Sequence, residues 1–192
     1  MEHFISIQGE GFYTGTPSFF IRIGGCDVGC HWCDVKESWN PELHPLVNVD
    51  DIIESIPSYI KTVIITGGEP LLYNLNYLTR KLKEKNLAIH LETSGTSPLS
   101  GQFDWICLSP KKNLLPLPEI YNRADELKII VFNKTDFDFA EKQSEKVRPK
   151  TKLFLQPEWS VRKKILPLIT DFIIKNPKWK LSLQTHKYIG LP

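Results

Sequence analysis

Three cysteines, Cys26, Cys30 and Cys33, stand close together near the start of the chain. Thiolates bind soft metals, and side chains this near in sequence seldom have the geometry to form a disulfide with each other. A structural zinc site needs four closed ligands, whereas an iron–sulfur cubane held by three cysteines leaves one iron free to bind a small molecule. The odd number of thiols therefore favours an iron–sulfur cluster with one open iron. An iron with an open coordination position indicates a site that carries out a reaction.

A zinc knuckle is the alternative reading of the same loop. His31, His44 or Cys107 could supply a fourth ligand, and dense Cys and His clusters are often zinc sites. Cys107, however, falls inside a predicted strand, where we expect it to be a core residue. A fourth cluster thiolate would also block the open iron.

Length, charge and cysteine usage narrow the class of protein. At 192 residues, we predict one domain spanning residues 1–192. Lys and Arg number 24 against 22 for Asp and Glu, and this formal balance of +2 argues against binding to nucleic acid or to an anionic membrane. One clustered trio and one isolated thiol do not resemble a secreted disulfide framework, and we find neither a signal peptide nor a membrane-crossing run. We therefore expect a cytoplasmic protein that acts on a small molecule.

Strand-like and helix-like segments alternate along the chain. The strands are predicted at 18–23, 62–66, 87–91, 103–108, 125–132, 152–156 and 180–184, and the helices at 49–56, 74–85, 135–146 and 161–175. Pro167 should either kink the last helix or lie in the first turn of a shorter one. This alternation predicts an α/β fold of right-handed βαβ units. Seven strands with about four helices are too few for a complete eight-fold barrel, so we predict a partial, open TIM-like barrel of parallel strands with reduced helix content.

Polar clusters follow nearly every predicted strand. They are the cysteine loop, Gly67-Gly68-Glu69, Glu92-Thr93-Ser94-Gly95, Ser109-Pro110-Lys111, Gln156-Pro157 and Gln184-Thr185-His186. Ligands bind at the carboxyl ends of the strands in parallel α/β folds. Six such clusters predict one ligand site on one rim of the sheet.

The motifs together resemble a known family. The spacing Cys-x3-Cys-x2-Cys, with Trp32 before the last cysteine, resembles the radical S-adenosylmethionine (SAM) enzymes. The ordered set of Ile7-Gln8-Gly9-Glu10-Gly11, the cysteine loop, Thr66-Gly67-Gly68-Glu69-Pro70, Glu92-Thr93-Ser94-Gly95-Thr96, Ser109-Pro110-Lys111 and Gln184-Thr185-His186-Lys187 is similar to the 7-carboxy-7-deazaguanine synthases and covers almost the whole chain. The resemblance implies a radical SAM core and a lyase that rearranges 6-carboxy-5,6,7,8-tetrahydropterin to 7-carboxy-7-deazaguanine with loss of ammonia, a step toward queuosine.

The resemblance also implies which residues form the site. Cys26, Cys30 and Cys33 would hold a [4Fe-4S] cluster whose free iron is chelated by SAM. The residues expected near SAM are Trp32, Asp34, Gly67, Gly68, Glu69, Gly95, Ser109, Pro110, Lys111 and Gln156. Those expected near the pterin are Ile7, Gln8, Gly9, Glu10, Arg22, Thr93, His186 and the terminal carboxylate of Pro192. We thus expect the chain end to belong to the active site.

Magnesium is a point where the chain departs from the family pattern. Many relatives carry Thr or Ser two residues after the last cysteine, and that hydroxyl ligates Mg²⁺ beside the substrate carboxylate. Here the position is Val35, which has no side-chain oxygen. We expect weak dependence on Mg²⁺, or a site made from substrate, water and Asp34.

The same resemblance implies partners and leaves a rival function. It implies a homodimer and a one-electron reductant of the flavodoxin or ferredoxin type. Small activating enzymes that place a glycyl radical on a partner protein share the three-cysteine loop. They are the alternative within the class, and a zinc-binding structural module is the alternative outside it.

Overall fold

Eight strands form a single sheet in the computed structural model, which describes residues 1–192. The strands are β1 (Glu2–Ile7), β2 (Pro17–Ile23), β3 (Thr62–Gly67), β4 (Ala88–Thr93), β5 (Trp105–Leu108), β6 (Glu126–Val131), β7 (Lys152–Pro157) and β8 (Trp179–Leu181). They follow one another across the sheet in chain order, β1 pairs antiparallel with β2, and all other neighbours are parallel. Because β8 does not pair with β1, the barrel stays open, as the strand count predicted.

Five helices lie in connections between parallel strands, and a sixth follows the last strand. They are α1 (Val49–Glu54), α2 (Asn76–Glu84), α3 (Pro118–Tyr121), α4 (Thr135–Ser144), α5 (Arg162–Lys175) and α6 (Thr185–Ile189). Pro167 lies inside α5 and does not start a shorter helix. None of the helices combines the length and the apolar character that a bilayer crossing requires.

The prediction of seven strands was wrong by one, because the N-terminal segment forms β1. Half of its residues are exposed and only one is buried, so the edge strand lacks the buried β-branched run that marks β3. It is held instead by pairing with β2 and by stacking of Phe4 on Phe20, with ring centroids 5.2 Å apart. The short helices α3 and α6 were also not predicted, since α6 is only five residues long and its pattern is too short to read.

Alternation along the strands divides apolar from polar side chains. On β6, Leu127, Ile129 and Val131 pack into the core beneath the helices, whereas Lys128 and Ile130 face the inside of the open barrel. The core also takes Ile89 and Leu91 from β4, while Glu92 on the same strand faces inward. The inner face of the sheet can therefore carry charge without disturbing the core.

The last strand is shorter than predicted. Ladder pairing of β8 ends at Leu181, and only the backbone N–H of Ser182 still donates to Leu155 on β7. Beyond this point the side chains of Ser182 and Gln184 bond to Gln156 and to Glu10. The segment leaves the sheet because its polar side chains form these hydrogen bonds above the ends of the strands.

Candidate active site

A cavity of about 280 Å³ opens at the carboxyl ends of the parallel strands. All six polar clusters predicted from the sequence contribute to its lining: Cys26, Cys30 and Cys33 from the cysteine loop, Gly67 and Gly68, Glu92 to Ser94, Ser109 and Lys111, Gln156 and Pro157, and Gln184 and His186. The structure thus brings together, at one rim, segments that are up to 160 positions apart in the chain. This is the position at which parallel α/β sheets bind ligands.

The three cysteines of the loop are half-buried, free of disulfides and directed at this cavity. Burial raises the pKa of the Cys26 and Cys30 thiols, and nearby Lys111 opposes that rise at Cys30. The loop is fixed by backbone bonds from Gly25 to Ser38 (2.6 Å) and from Cys26 to Trp39 (3.3 Å). Three free thiols on one wall of a cavity are a donor set that fits an iron–sulfur cluster with an open position.

No group of three His, Cys, Asp or Glu side chains is drawn together closely enough to hold a single metal ion. A tetrahedral zinc site needs its ligands at about 2.0–2.3 Å from one ion. A cubane spaces its thiolates more widely, since each binds a different iron. The arrangement therefore gives the zinc alternative no support, and Cys107 is buried in β5, away from the loop thiols.

The glycine pair after β3 makes room for the cysteine loop. A Cβ on Gly67, whose φ is 139°, would lie 2.0 Å from the carbonyl oxygen of Ile23. A Cβ on Gly68 would lie 2.2 Å from the carbonyl oxygen of Gly25 and 2.8 Å from the Cβ of Cys26. Only glycine permits this approach, and it leaves backbone groups of both residues facing the cavity.

Glu69 has a different environment from its two glycine neighbours. Its carboxylate is buried, 1% exposed, and does not line the cavity. It accepts hydrogen bonds from the Thr93 hydroxyl (2.6 Å), the Ser94 amide (2.7 Å) and the Leu71 amide (3.0 Å). The Ser94 hydroxyl is a fourth donor to it. Glu69 therefore joins the ends of β3 and β4 beneath the cavity, and its four accepted bonds leave little capacity for a ligand ammonium.

Other residues expected near SAM are divided between the main cavity and its surroundings. Trp32, Asp34, Ser109, Lys111 and Gln156 line the main cavity. Gly95 is packed against Leu108 and Pro116, and Pro110 lines a smaller neighbouring cavity that also touches Cys30 and Trp32. The structure thus places Glu69, Gly95 and Pro110 outside the main cavity.

Lys111 is the cation on the cluster side of the cavity. Its ammonium donates to the carbonyl (2.7 Å) and to the hydroxyl (2.6 Å) of Ser109 and lies 5.5 Å from the ring centre of Trp32. Burial lowers the pKa of Lys111. It can offer its remaining N–H donor to an anionic group of a ligand.

Charged side chains dominate the opposite wall. The ammonium of Lys128 lies 2.6 Å from Glu10 and 2.9 Å from Glu92. The second oxygen of Glu10 accepts from Gln184 (2.9 Å), and that of Glu92 accepts from Gln8 (3.2 Å). This wall contains the predicted residues Ile7 to Glu10, and it can accept hydrogen bonds from the N–H groups of a heterocycle.

Glu92, Lys128 and Gln184 were not among the site residues expected from the sequence. The sequence could have pointed to Lys128, because a lysine flanked by Leu127 and Ile129 in a buried strand is unusual unless it is paired. Glu92 and Gln184 stood within recognised motifs. Their roles depend on contacts with residues from distant segments. Such contacts cannot be predicted from spacing along the chain.

Burial alone would raise the pKa of Glu10, but the ammonium of Lys128 and hydrogen bonds from Lys128 and Gln184 outweigh it and lower the pKa to about 2. Glu126, below this group on β6, has its pKa raised to about 7 by burial, with Glu92 adding to the rise. One oxygen of Glu126 accepts from the Phe12 amide and the Trp105 indole, and the other has no partner. Glu10 at the cavity is thus ionised, whereas the deeper Glu126 is partly protonated near neutral pH.

Arg22 and Thr93, both expected near the pterin, also line the cavity. The Arg22 guanidinium bonds to Glu2 at 2.5 Å and lies 5.1 Å from the ring centre of Phe4. The Thr93 hydroxyl is already donated to Glu69. Arg22 therefore keeps donors for an anion, and Thr93 presents mainly its backbone and methyl group.

The chain end folds back onto the cavity. Thr185 donates through its amide (2.9 Å) and its hydroxyl (3.0 Å) to the carbonyl of Gly9. His186 packs so closely on Gly9 that a Cβ there would meet its ring at 2.0 Å. Pro192 lines the cavity and accepts a bond from the Ser6 hydroxyl at 3.3 Å. The tail is therefore built into the wall that contains Gln8 and Glu10.

Asp34 links this tail to the cysteine loop. Its carboxylate pairs with Lys187 at 2.5 Å and accepts from Gln184 at 3.1 Å. Burial would raise the pKa of Asp34, but these two partners lower it. Val35 lines the cavity next to it without any oxygen on its side chain.

Comparison with known proteins agrees with this geometry. The model of the Radical SAM superfamily matches residues 20–105. The chain is 57% identical over its full length to the 7-carboxy-7-deazaguanine synthase of Flavobacterium psychrophilum, of which it covers 91%, and 48% identical over 99% of its length to that of Synechocystis, again covering 91%. The crystal structure of QueE from Escherichia coli superposes with a TM-score of 0.80 at 30% identity, covering 96% of this chain and 92% of that one.

These matches favour the synthase over a glycyl-radical activating enzyme and over a zinc module. The superfamily model implies a [4Fe-4S] cluster and SAM, and the three free thiols at the cavity are the donor set that such a cluster needs. The chain belongs to the 7-carboxy-7-deazaguanine synthase family of radical SAM lyases.

Proposed function

We propose that this protein converts 6-carboxy-5,6,7,8-tetrahydropterin to 7-carboxy-7-deazaguanine and ammonia, a redox-neutral rearrangement in queuosine biosynthesis. The observation that supports this substrate best is the division of one cavity into a thiol wall and a carboxylate wall. The first holds Cys26, Cys30 and Cys33, and the second holds Glu10 and Glu92 around Lys128. A bicyclic ligand with several N–H donors and one carboxylate complements such a cavity.

When bound, the cluster and SAM supply a 5′-deoxyadenosyl radical that removes a hydrogen atom from C6 of the pterin and returns one at the end of the rearrangement. Cys26, Cys30 and Cys33 hold the cluster, and their loop is fixed against β3 through Gly67 and Gly68. Trp32, Asp34, Ser109, Lys111 and Gln156 surround the SAM side, where Lys111 offers a donor to the methionine carboxylate. The protein's task is to hold SAM and pterin at a fixed separation and to exclude water.

The pterin side is formed by the loop after β1 and by the tail. Gln8, Glu10 and Glu92 present acceptors to the amino and ring N–H groups. The carboxylate of Pro192 adds another acceptor, and His186 closes the wall beside Gly9. Arg22 holds the pterin carboxylate from the end of β2.

The direct test is anaerobic reconstitution with iron and sulfide, followed by incubation with SAM, a one-electron reductant and 6-carboxytetrahydropterin. We expect iron content near four per chain and a product with the mass and absorption of 7-carboxy-7-deazaguanine. Reductive SAM cleavage without any pterin conversion would contradict the proposed substrate. A colourless protein that retains zinc would contradict the cluster.

We further propose that magnesium is dispensable or weakly bound. Val35 offers no oxygen, and Asp34 already pairs with Lys187 and Gln184, so no cluster of protein oxygens is free to surround the ion. We expect chelator-treated enzyme to keep most of its kcat/KM, with little saturation on adding Mg²⁺. Complete loss of turnover with chelator and tight saturation by Mg²⁺ would contradict this.

The remaining proposals concern partners and compartment. A flavodoxin or ferredoxin type of protein supplies the electron, and the chain assembles as a homodimer. Free thiols at the cavity suit a reducing cytoplasm. Sedimentation of the reconstituted protein at micromolar concentration tests the dimer, and a monomer there would contradict it.

A further inference from the structure

Lys128 is the only cation between two carboxylates on the pterin wall. It projects from the inner face of β6, its side chain is 4% exposed, and its ammonium reaches Glu10 at 2.6 Å and Glu92 at 2.9 Å. Glu10 follows β1 and Glu92 lies on β4, so the lysine joins two strands that are not neighbours of its own. A lysine is almost never buried this deeply unless it is paired.

The two carboxylates are less buried than the lysine that joins them. Their side chains are 18% and 21% exposed, and both line the cavity. Each gives one oxygen to Lys128, and each has its other oxygen oriented by an amide, from Gln184 on Glu10 and from Gln8 on Glu92. Both groups are therefore held at fixed positions with lone pairs left for a ligand.

We propose that Lys128 is a positioning residue that keeps Glu10 and Glu92 together as two ionised acceptors for the N–H groups of the substrate. The inference rests on the proposed pterin substrate. Without the ammonium, two carboxylates would face each other in a partly buried site, and like charges at such distances favour protonation of one of them. A protonated carboxyl is a donor on that oxygen and no longer matches an N–H group.

The surroundings of Lys128 contain no second cation that could replace it at this position. The titratable groups that influence it or its partners are Glu10 after β1, Asp34 in the cysteine loop, Glu92 on β4, Cys107 on β5, Lys111 after β5, Glu126 on β6, and His186 and Lys187 on α6. Lys187 is paired with Asp34. Lys111 is bonded to Ser109 on the cluster side, and burial lowers the pKa of His186, which favours its neutral form. Removal of Lys128 thus leaves the carboxylates uncompensated.

The test compares reconstituted native enzyme with the variant Lys128→Met, which keeps the length of the side chain and removes the charge. We expect KM for the pterin to rise about tenfold with a smaller change in kcat, since binding acceptors are lost while the cluster wall is untouched. The acid limb of kcat/KM should move upward, because loss of the ammonium raises the pKa of Glu10. Anaerobic equilibrium binding of 6-carboxypterin should weaken in parallel.

Two further variants keep the result interpretable. Lys175→Met removes an exposed lysine paired with Asp171 and should match native enzyme in every measurement. The double variant Lys128→Met/Glu92→Gln removes the repulsion along with the cation, so we expect it to fold even where the single variant does not. Its acid limb should lie between those of the single variant and native enzyme, because burial still raises the pKa of Glu10. A merely structural lysine would change the melting temperature without moving the pH profile.

The outcomes separate the inference from the function on which it rests. If native enzyme does not convert the pterin, the proposed function fails regardless of the variants. If native enzyme converts it and folded Lys128→Met has native KM and a native acid limb, the inference alone fails. It also fails if the double variant cannot fold with a native iron content, because Lys128 would then be needed for the fold itself.

Discussion

Cys30 and Cys107 show how surroundings decide the chemistry of one residue type. Cys30 is half-buried at the cavity with Lys111 nearby, a cation that favours its thiolate. Cys107 is 1% exposed inside β5, and burial raises its pKa well above the ordinary value, with Glu126 and Glu92 raising it further. Burial raises the pKa of both thiols, but only Cys30 lines the cavity, where iron can reach it.

At the residue scale we therefore predict that Cys26→Ala, Cys30→Ala and Cys33→Ala each abolish cluster assembly, whereas Cys107→Ala retains it. Alanine offers no substitute for thiolate ligation. Iron and sulfide counts and the visible absorption after anaerobic reconstitution are the measurements. A full cluster in Cys30→Ala together with none in Cys107→Ala would reject the assignment of the ligands.

At the scale of elements, the decisive contact is between the end of β3 and the start of the cysteine loop. The amide of Gly68 donates to Ile23 at 2.9 Å and that of Glu69 donates to Gly25 at 2.8 Å. These bonds need the backbones to approach more closely than any Cβ allows at Gly67 or Gly68. The position of the thiols is thus set by a strand that contains none of them.

We predict that Gly68→Ala lowers iron incorporation severely and destabilises the protein by about 2 kcal/mol, because its Cβ would lie 2.2 Å from the carbonyl oxygen of Gly25. Gly24→Ala is the matched control in the same loop. Its Cβ would lie 3.0 Å from the His44 ring edge, 3.6 Å from Pro41 and 3.7 Å from Met1, so we expect near-native iron content. Equal iron content in the two variants would show that the close approach of β3 does not position the loop.

At the scale of the whole molecule, loop contacts rather than a strand ladder connect the two edges of the open barrel. The amide of Gly11, after β1, donates to the Ser182 hydroxyl beyond β8 at 2.9 Å, and Thr185 bonds to Gly9. Ser6 bonds to Pro192, so the last residue of the chain lies beside the first strand. The cavity is therefore walled by both ends of the chain.

We predict that a C-terminal extension raises KM for the pterin about tenfold or stops turnover, because it removes the terminal carboxylate and crowds the cavity. Cluster content and melting temperature should stay near native values, since the tail contributes no core residue. An N-terminal extension of the same length is the control and should be milder. Identical steady-state kinetics for the tail-extended and native-ended proteins would show that the chain end has no part in the site.

The sequence by itself determined the class of fold, the thiol loop and the rim on which the site lies. A run such as Thr62 to Thr66 is buried on both faces wherever it occurs, and glycines and polar residues directly after it must lie at the carboxyl end of a parallel strand. Likewise, three cysteines within eight positions remain near one another in any fold of the chain. These predictions depend on contacts that are local in sequence.

Only the tertiary structure decided which distant side chains meet. Glu69 stood beside two cavity glycines in the sequence, yet its carboxylate turns beneath the cavity because Thr93 and Ser94 offer it buried donors. Lys128 lies within a strand that the sequence predicts, but its partners Glu10 and Glu92 come from positions 118 and 36 residues away. Contacts between residues this far apart are fixed by strand order and by the curvature of the sheet. The local sequence pattern therefore determines where a site can form, and tertiary packing determines which side chains line it.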